Sequence, residues 1–153
     1  MQKYISHSEN ETKKIAESFA KKTKGNIFAL SGELGAGKTI FVQGFAKGLR
    51  IKEKIISPTF VLIRQHPIPT TTKILYHIDL YRLEDVSDLK NIGLEEILSD
   101  PNNIVLIEWA EKIESMLLKN TIKINITKEG SYSRLISISI DPSFAENKSS
   151  INL

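Results

Sequence analysis

A glycine-rich segment between an apolar run and an amphipathic run constrains this chain more than any other feature. The segment SGELGAGKT, residues 31–39, fits the pattern G-x-x-x-x-G-K-[ST], with Gly32, Gly37, Lys38 and Thr39 at the fixed positions. The apolar run NIFAL precedes it, and a run with apolar residues at helical spacing follows it. This order of strand, loop and helix predicts a P-loop, which binds the phosphates of a nucleotide.

Each residue type in the segment has a physical reason to be there. Glycines let the backbone turn its N–H groups toward phosphate oxygens, and the start of the next helix adds the positive end of its dipole. Lys38 is predicted to reach the β- and γ-phosphates, and the Thr39 hydroxyl to ligate Mg²⁺. The predicted phosphate-binding residues are Gly32, Glu33, Leu34, Gly35, Ala36, Gly37, Lys38 and Thr39. The N-K-x-D motif of guanine-specific switches is missing from the sequence, which favours ATP.

Two acidic residues follow apolar strands and are candidates for the chemistry around Mg²⁺. Glu108 ends the aliphatic run IVLIE, where a carboxylate would face the nucleotide crevice. Asp79 lies in the alternating run KILYHIDLYRL, on the same side as His77. The alternative for Glu108 is a structural place at a helix start, and for Asp79 it is pairing with Arg82 or His77. Sequence alone does not say which carboxylate positions the attacking water.

Four further side chains have a functional and a structural interpretation. Thr59 in SPTF is either a γ-phosphate-sensing residue of a switch or a plain turn residue. Trp109, the sole tryptophan, is either core or an aromatic platform beside the site. His77 is interpreted as a core or supporting residue, because no second histidine lies at metal-ligand spacing. Arg134, like Arg82, could touch phosphate or a partner carboxylate, but Arg134 is predicted to be an exposed charge on an edge strand.

The order of predicted elements indicates the fold class. A helix should begin at a capping box at Ser8 and end near Lys24, and the segment VSDLKNIGLEEIL should form two short helices meeting at Gly93. EKIESMLL is predicted as a helix, and TIKINIT and SRLISISI as a hairpin. We therefore expect an α/β, three-layer P-loop NTPase fold, with a mixed, mostly parallel sheet and a C-terminal antiparallel hairpin. A single domain over 1–153 is expected, with a frayed tail from about residue 143.

Composition excludes some classes of protein. The chain has 41% hydrophobic and 25% charged residues and no apolar run near the roughly 20 residues that cross a bilayer, so no membrane association is expected. It has no cysteine, which excludes disulfides and indicates a reducing cytoplasm. A net charge of +3 is weak support for nucleic-acid binding, and the lysines of KKIAESFAKKTK are interpreted as a solvated helix face.

Five motifs in order, GELGAGKT, SPTF, HIDLYRLED, IGLEEIL and IEWAEK, resemble those of the TsaE (YjeE) family of bacterial P-loop ATPases. The resemblance extends from SENET to SRLISISI, nearly the whole chain. It implies a role in making N6-threonylcarbamoyladenosine in tRNA, in which the protein docks on the TsaD–TsaB heterodimer. ATP would bind at the interface with TsaD and be hydrolysed slowly to reset the complex, so tRNA would be met only through the complex.

Site residues follow from the same resemblance. It implies that Thr39 and Glu108 ligate Mg²⁺, that Thr59 and Asp79 lie in the switch and hydrolysis regions, and that Trp109 is functional. Ser8 and Thr12 match the S-x-x-x-T region that lies near the adenine. The departures are Ile40 for a second threonine, Glu33 for aspartate and Ala110 for proline, and none removes a phosphate or metal ligand.

Two other classes of function stay open on sequence alone. A small-molecule kinase would need a substrate domain and a lid with several arginines, whereas the chain has four arginines and little length beyond the P-loop core. A nucleotide-dependent binding module without turnover is the third class, and Glu108 together with Asp79 argues for hydrolysis instead.

Overall fold

A computed structural model describes residues 1–58 and 62–140. The seven strands are β1 (Gln2–Ser6), β2 (Ile27–Ser31), β3 (Ile63–Pro67), β4 (Ile74–Asp79), β5 (Asn103–Glu108), β6 (Ile122–Lys128) and β7 (Arg134–Ile140). The α-helices are α1 (Glu9–Lys22), α2 (Lys38–Gly48) and α3 (Leu94–Ser99), and two 3₁₀ helices span Val86–Ile92 and Ala110–Met116. Thr59 and the tail predicted from about residue 143 lie outside the described residues.

All seven strands form one mixed sheet in the order β1-β7-β6-β2-β5-β4-β3. The four central strands β6, β2, β5 and β4 are parallel, and β7, β1 and β3 join antiparallel at the two sides. The strands β2, β5 and β4 therefore end at one edge of the sheet. This edge carries the glycine loop (residues 32–37), Glu108 and Asp79, with Leu30 beside Glu108 and Asp79 beside Glu108 in register.

Apolar side chains cover both faces of the sheet and make three layers. The helices α1 and α2 pack on one face, where the rings of Phe28 and Phe45 meet at a tilt of 58° with 4.9 Å between their centroids. On the other face, α3 and the 3₁₀ helices pack against residues such as Ile78 and Ile107. The predicted α/β fold with a mixed sheet and a C-terminal hairpin is confirmed.

The contact between α1 and α2 depends on two glycines one turn apart. A Cβ at Gly44 would collide with the Lys13 carbonyl oxygen, and one at Gly48 would lie 2.6 Å from the Glu17 carbonyl oxygen. No real Cβ approaches a backbone oxygen that closely, so any side chain here would push the helices apart. The close approach holds the start of α2, and with it Lys38, against the sheet.

Local details confirm some predictions and correct others. The Ser8 side chain accepts from the Glu11 amide, as expected of a capping box, but Glu11 accepts from the His7 amide, one residue before the cap. The helix α1 ends at Lys22, two residues before the predicted end. The segment after Trp109 is helical, as predicted, but the helix is 3₁₀, spans Ala110–Met116 and is broken at Ile113, where φ is −127°. The edge strands β1 and β3 were not predicted. Among the described residues, no helix has the length and apolarity needed to cross a membrane.

Candidate functional site

A cavity of about 620 Å³ opens at the edge of the sheet where β2, β4 and β5 end. The glycine loop and the start of α2 form one wall, and Glu108, Trp109 and Asp79 form another. The remaining walls come from the start of α1 and from the turn between β6 and β7. Ser57 also lines the cavity, so the fold brings together residues from six separate parts of the sequence.

The backbone of the glycine loop requires glycine at its first and last positions. Gly32 has a φ of +149°, and a Cβ there would collide with the Ile126 carbonyl oxygen of the neighbouring strand β6. Gly37 has a φ of +110° and caps α2 without a side-chain hydrogen bond. Residues other than glycine are strained at such backbone angles. The loop can therefore turn from β2 into α2 within six residues.

Lys38 is buried, with 5% of its surface exposed. Its Nζ donates to the carbonyl oxygens of Gly32 at 2.5 Å and Glu33 at 3.0 Å, and it lies 4.0 Å from the centre of the Trp109 ring. Burial lowers the pKa of Lys38, and the negative charges of carboxylates nearby, Glu108 foremost, oppose that shift. The ammonium is thus held at the mouth of the loop by carbonyl dipoles and an aromatic face.

Thr39 and Glu108 are in direct contact across the site. The Thr39 hydroxyl donates to Glu108 Oε1 at 2.8 Å, and the other carboxylate oxygen, Oε2, lies 2.5 Å from His77 Nε2. Glu108 is 3% exposed and His77 is fully buried. The interpretation of His77 as a buried supporting residue agrees with this contact. The alternative of Glu108 as a mere helix-start residue does not explain its bond to the helix that follows the glycine loop.

Asp79 accepts hydrogen bonds from Ser57 and from the backbone just after β4. Ser57 Oγ donates to Asp79 Oδ2 at 2.7 Å, and the Tyr81 amide donates to Oδ1 at 3.0 Å. Asp79 is 8% exposed and lines the cavity. Ser57 was not predicted as a site residue, although it is part of the SPTF motif. The carboxylate therefore ties the end of β4 to the segment that ends at Pro58.

Trp109 forms an aromatic platform at the cavity. It is half-buried, its φ of +58° is left-handed, and its ring lies 5.2 Å from that of Tyr81. A left-handed tryptophan is strained, and such strain persists only where surrounding structure imposes it. The turn at Trp109 directs its indole ring over Lys38, which favours the platform over the purely structural interpretation.

The far walls of the cavity hold the remaining predicted residues and some that were missed. Ser8 and Thr12 line the cavity at the start of α1, and the Thr12 hydroxyl lies 2.7 Å from Ser6 Oγ. Ser131 and Tyr132 line it from the β6–β7 turn. No local signal marked these two residues, because only the pairing of β6 with β7 brings their turn to the site.

Arg134 corrects a prediction. It was expected to be an exposed charge on an edge strand, but β7 lies between β1 and β6 and the side chain is half-buried. Its Nε donates to the Ala36 carbonyl oxygen at 3.0 Å, and its Nη2 to that of Gly35 at 3.5 Å. Arg134 thus holds the outer side of the glycine loop. The error came from the missed strand β1, which covers the side of β7 that was taken to be free.

Comparisons with known proteins agree with this architecture. The model of the family "Threonylcarbamoyl adenosine biosynthesis protein TsaE" matches residues 6–136. The protein named tRNA threonylcarbamoyladenosine biosynthesis protein TsaE from Rickettsia bellii is 43% identical over 124 residues, covering 80% of this chain and 83% of the relative. The protein of the same name from Bacillus subtilis is 41% identical over 127 residues, covering 82% and 77%.

A solved structure supports the same assignment. The crystal structure of YdiB from Bacillus subtilis is 32% identical in sequence and superposes with a TM-score of 0.76, over 97% of this chain and 91% of that one. The matched region contains the glycine loop, Glu108 and Trp109. Sequence family, curated relatives and fold all point to one assignment. The chain belongs to the TsaE family.

Proposed function

We propose that this chain is a Mg²⁺-dependent ATPase subunit that acts in the threonylcarbamoyladenosine modification of tRNA by docking on and resetting a TsaD–TsaB complex. The pathway is that named for its relatives. The observation that carries the ATPase proposal is the Thr39–Glu108 hydrogen bond, because it joins the residue after the glycine-loop lysine to an acid on the adjacent parallel strand. P-loop enzymes hold Mg²⁺ with this pair of residue types.

The oxygen donors at the site fit Mg²⁺. Within residues 1–58 and 62–140 there is no cluster of three or more His, Cys, Asp or Glu side chains that could hold a metal by itself. Mg²⁺ is commonly held by one or two protein oxygens together with substrate phosphates, so Thr39 and Glu108 are a sufficient protein share. When bound, Mg²⁺ would supply positive charge to the β- and γ-phosphate oxygens.

The side chains have separate tasks in this proposal. Lys38 exchanges carbonyl contacts for the β- and γ-phosphates, and backbone N–H groups of the glycine loop and the start of α2 hold phosphate oxygens. Trp109 keeps one side of Lys38 covered and dry. Asp79, through Ser57, links the site to the segment that carries Thr59, where a γ-phosphate would be sensed. Ser8 and Thr12 lie on the wall proposed for the adenine.

Binding of ATP can be tested by calorimetry with Lys38→Ala and a matched control. We expect Lys38→Ala to abolish binding, because the loop loses its only charge directed at the phosphates. Lys47→Ala, on the exposed side of the same helix, should bind like the wild type. Unchanged affinity in Lys38→Ala would remove the nucleotide site from this loop. In a parallel incubation with labelled ATP and nucleosides, a phosphorylated product would favour the kinase alternative.

A further inference from the structure

His77 contacts the carboxylate oxygen of Glu108 that Thr39 leaves free. Its Nε2 lies 2.5 Å from Oε2, while the Thr39 hydroxyl occupies Oε1. An ionised carboxylate only accepts hydrogen bonds, so the imidazole must carry its proton on Nε2 and donate it to Glu108. Each oxygen of the carboxylate is thereby fixed by one donor.

The other ring nitrogen of His77 makes no hydrogen bond among the described residues that would stabilise the fold. Nδ1 is buried and has no hydrogen-bond partner in the described part of the chain. A buried polar atom without a partner costs free energy, and an apolar side chain among neighbours such as Leu75 and Leu106 would avoid that cost. The ring is therefore poorly suited to be a packing residue, and its one polar contact is to Glu108.

The position of His77 on β4 determines the side from which its ring meets the Glu108 carboxylate. Strands β4 and β5 are parallel, with Asp79 beside Glu108, so His77 stands on the same face one pair earlier, beside Leu106. From there its ring reaches Glu108 from beneath the cavity floor. It needs no contact with a ligand to act on the carboxylate.

We propose that His77 is a positioning residue that fixes the Glu108 carboxylate for Mg²⁺ binding. The inference rests on the proposed function, in which Thr39 and Glu108 hold the ion. The Thr39 oxygen must face the metal while the hydroxyl keeps donating its hydrogen bond to Oε1 of Glu108. This requires that the Glu108 carboxylate does not rotate. Without His77, Thr39 is the sole described side chain that holds the carboxylate, and it would have to orient the acid and meet the metal at once.

The amide variants His77→Gln and His77→Asn separate positioning from packing. The amide nitrogen of Gln reaches about as far as Nε2, whereas that of Asn ends near the place of Nδ1 and cannot meet Oε2. Mn²⁺, a spectroscopic substitute for Mg²⁺, can be titrated by electron paramagnetic resonance in the presence of ATP. We expect His77→Asn to lower Mn²⁺ affinity about 10- to 100-fold and His77→Gln to retain most of it. ATP affinity in EDTA should be unchanged in both variants.

His66 provides a matched control. It is also buried, and its Nδ1 lies 2.5 Å from Glu53 Oε1, but that pair is absent from the lining of the cavity. His66→Asn should therefore leave Mn²⁺ affinity unchanged. Equal affinity in wild type and His77→Asn, or equal losses in the Gln and Asn variants, would overturn the role of His77. A wild-type protein that binds no Mn²⁺ with ATP would overturn the proposed function and this role with it.

Discussion

Lys38 is a buried cation that the structure stabilises by three contacts. Two carbonyl oxygens of the glycine loop accept hydrogen bonds from its ammonium group, and the Trp109 ring covers the remaining side. Burial lowers its pKa, while carboxylates nearby favour the charged form. Phosphate oxygens carry full negative charge, so they compete well with neutral carbonyl oxygens for the same ammonium. The lysine is thus held close to the place where phosphates are proposed to bind.

Replacing one oxygen of the Glu108 side chain, by the substitution Glu108→Gln, tests the proposed metal-dependent turnover. Glu108→Gln keeps the size of the side chain and removes its charge, so we expect ATP to bind but Mg²⁺-dependent hydrolysis to fall about 10²- to 10³-fold, as for other lost electrostatic contacts in active sites. Release of phosphate by purified protein measures this directly. Glu114→Gln, at an exposed glutamate, is the control. Full hydrolysis by Glu108→Gln would transfer the role to Asp79.

Single residues show where sequence reasoning succeeds. The position of Glu108 could be predicted because an acid at the end of an aliphatic parallel strand must lie at the carboxyl edge of the sheet, and Trp109 follows it directly. Ser57 and Arg134 were misjudged for another reason. Ser57 meets Asp79 across 22 positions of the chain, and Arg134 meets the glycine loop across about 98, so neither contact has a local signature.

At the scale of elements, the packing of α1 on α2 limits where the glycine loop can lie. Phe19 of α1 contacts three other aromatic rings at 5.8 to 6.4 Å, two of which, Phe41 and Phe45, lie on α2. The glycines of α2 let the backbones approach on the adjoining side. Since α2 begins at Lys38, a shift of this helix would move Lys38 and Thr39 together.

Gly44→Ala tests the close approach of the helices. Replacing glycine by alanine in a helix usually stabilises it by roughly 0.5–1 kcal/mol. Here the new Cβ would collide with the Lys13 carbonyl, so we expect a loss of about 1–3 kcal/mol instead, or several degrees in Tm. Thermal unfolding followed by circular dichroism gives the sign. Lys47→Ala, on the exposed side of α2, should unfold like the wild type, and a stabilised Gly44→Ala would contradict the packing described.

Elements differ in how far the sequence predicts them. The strands β2 and β5 are buried on both faces and read as continuous apolar runs, and β6 and β7 alternate strictly, so all four were found. The strands β1 and β3 lie at the sheet edges, and all but one residue of β1 is exposed. Their stability comes from pairing with β7 and β4, which sequence periodicity does not record. The break at Ile113 is likewise imposed by packing.

At the scale of the whole molecule, the sheet order creates the crevice. Strand β2 lies between β5 and β6, so the chain leaves the sheet at the glycine loop with a parallel strand on either side. Open α/β sheets bind ligands at such carboxyl edges. The cavity is bounded by the carboxyl ends of β4 and β5 and by the β6–β7 turn. Three large side chains at its rim are exposed, namely Leu34, Tyr81 and Tyr132. Such an exposed apolar rim suits the proposed role, in which a docked partner would complete the nucleotide site.

In the proposed function, ATP hydrolysis at this site serves a partner complex. The most direct test is the rate of phosphate release by the protein alone and after addition of TsaD and TsaB from the same organism, with Lys38→Ala in parallel. We expect slow release by the protein alone, strong stimulation by the two partners together, and no release above the partners' own background with Lys38→Ala. An unchanged rate on adding TsaD and TsaB, or stimulation that survives Lys38→Ala, would contradict it.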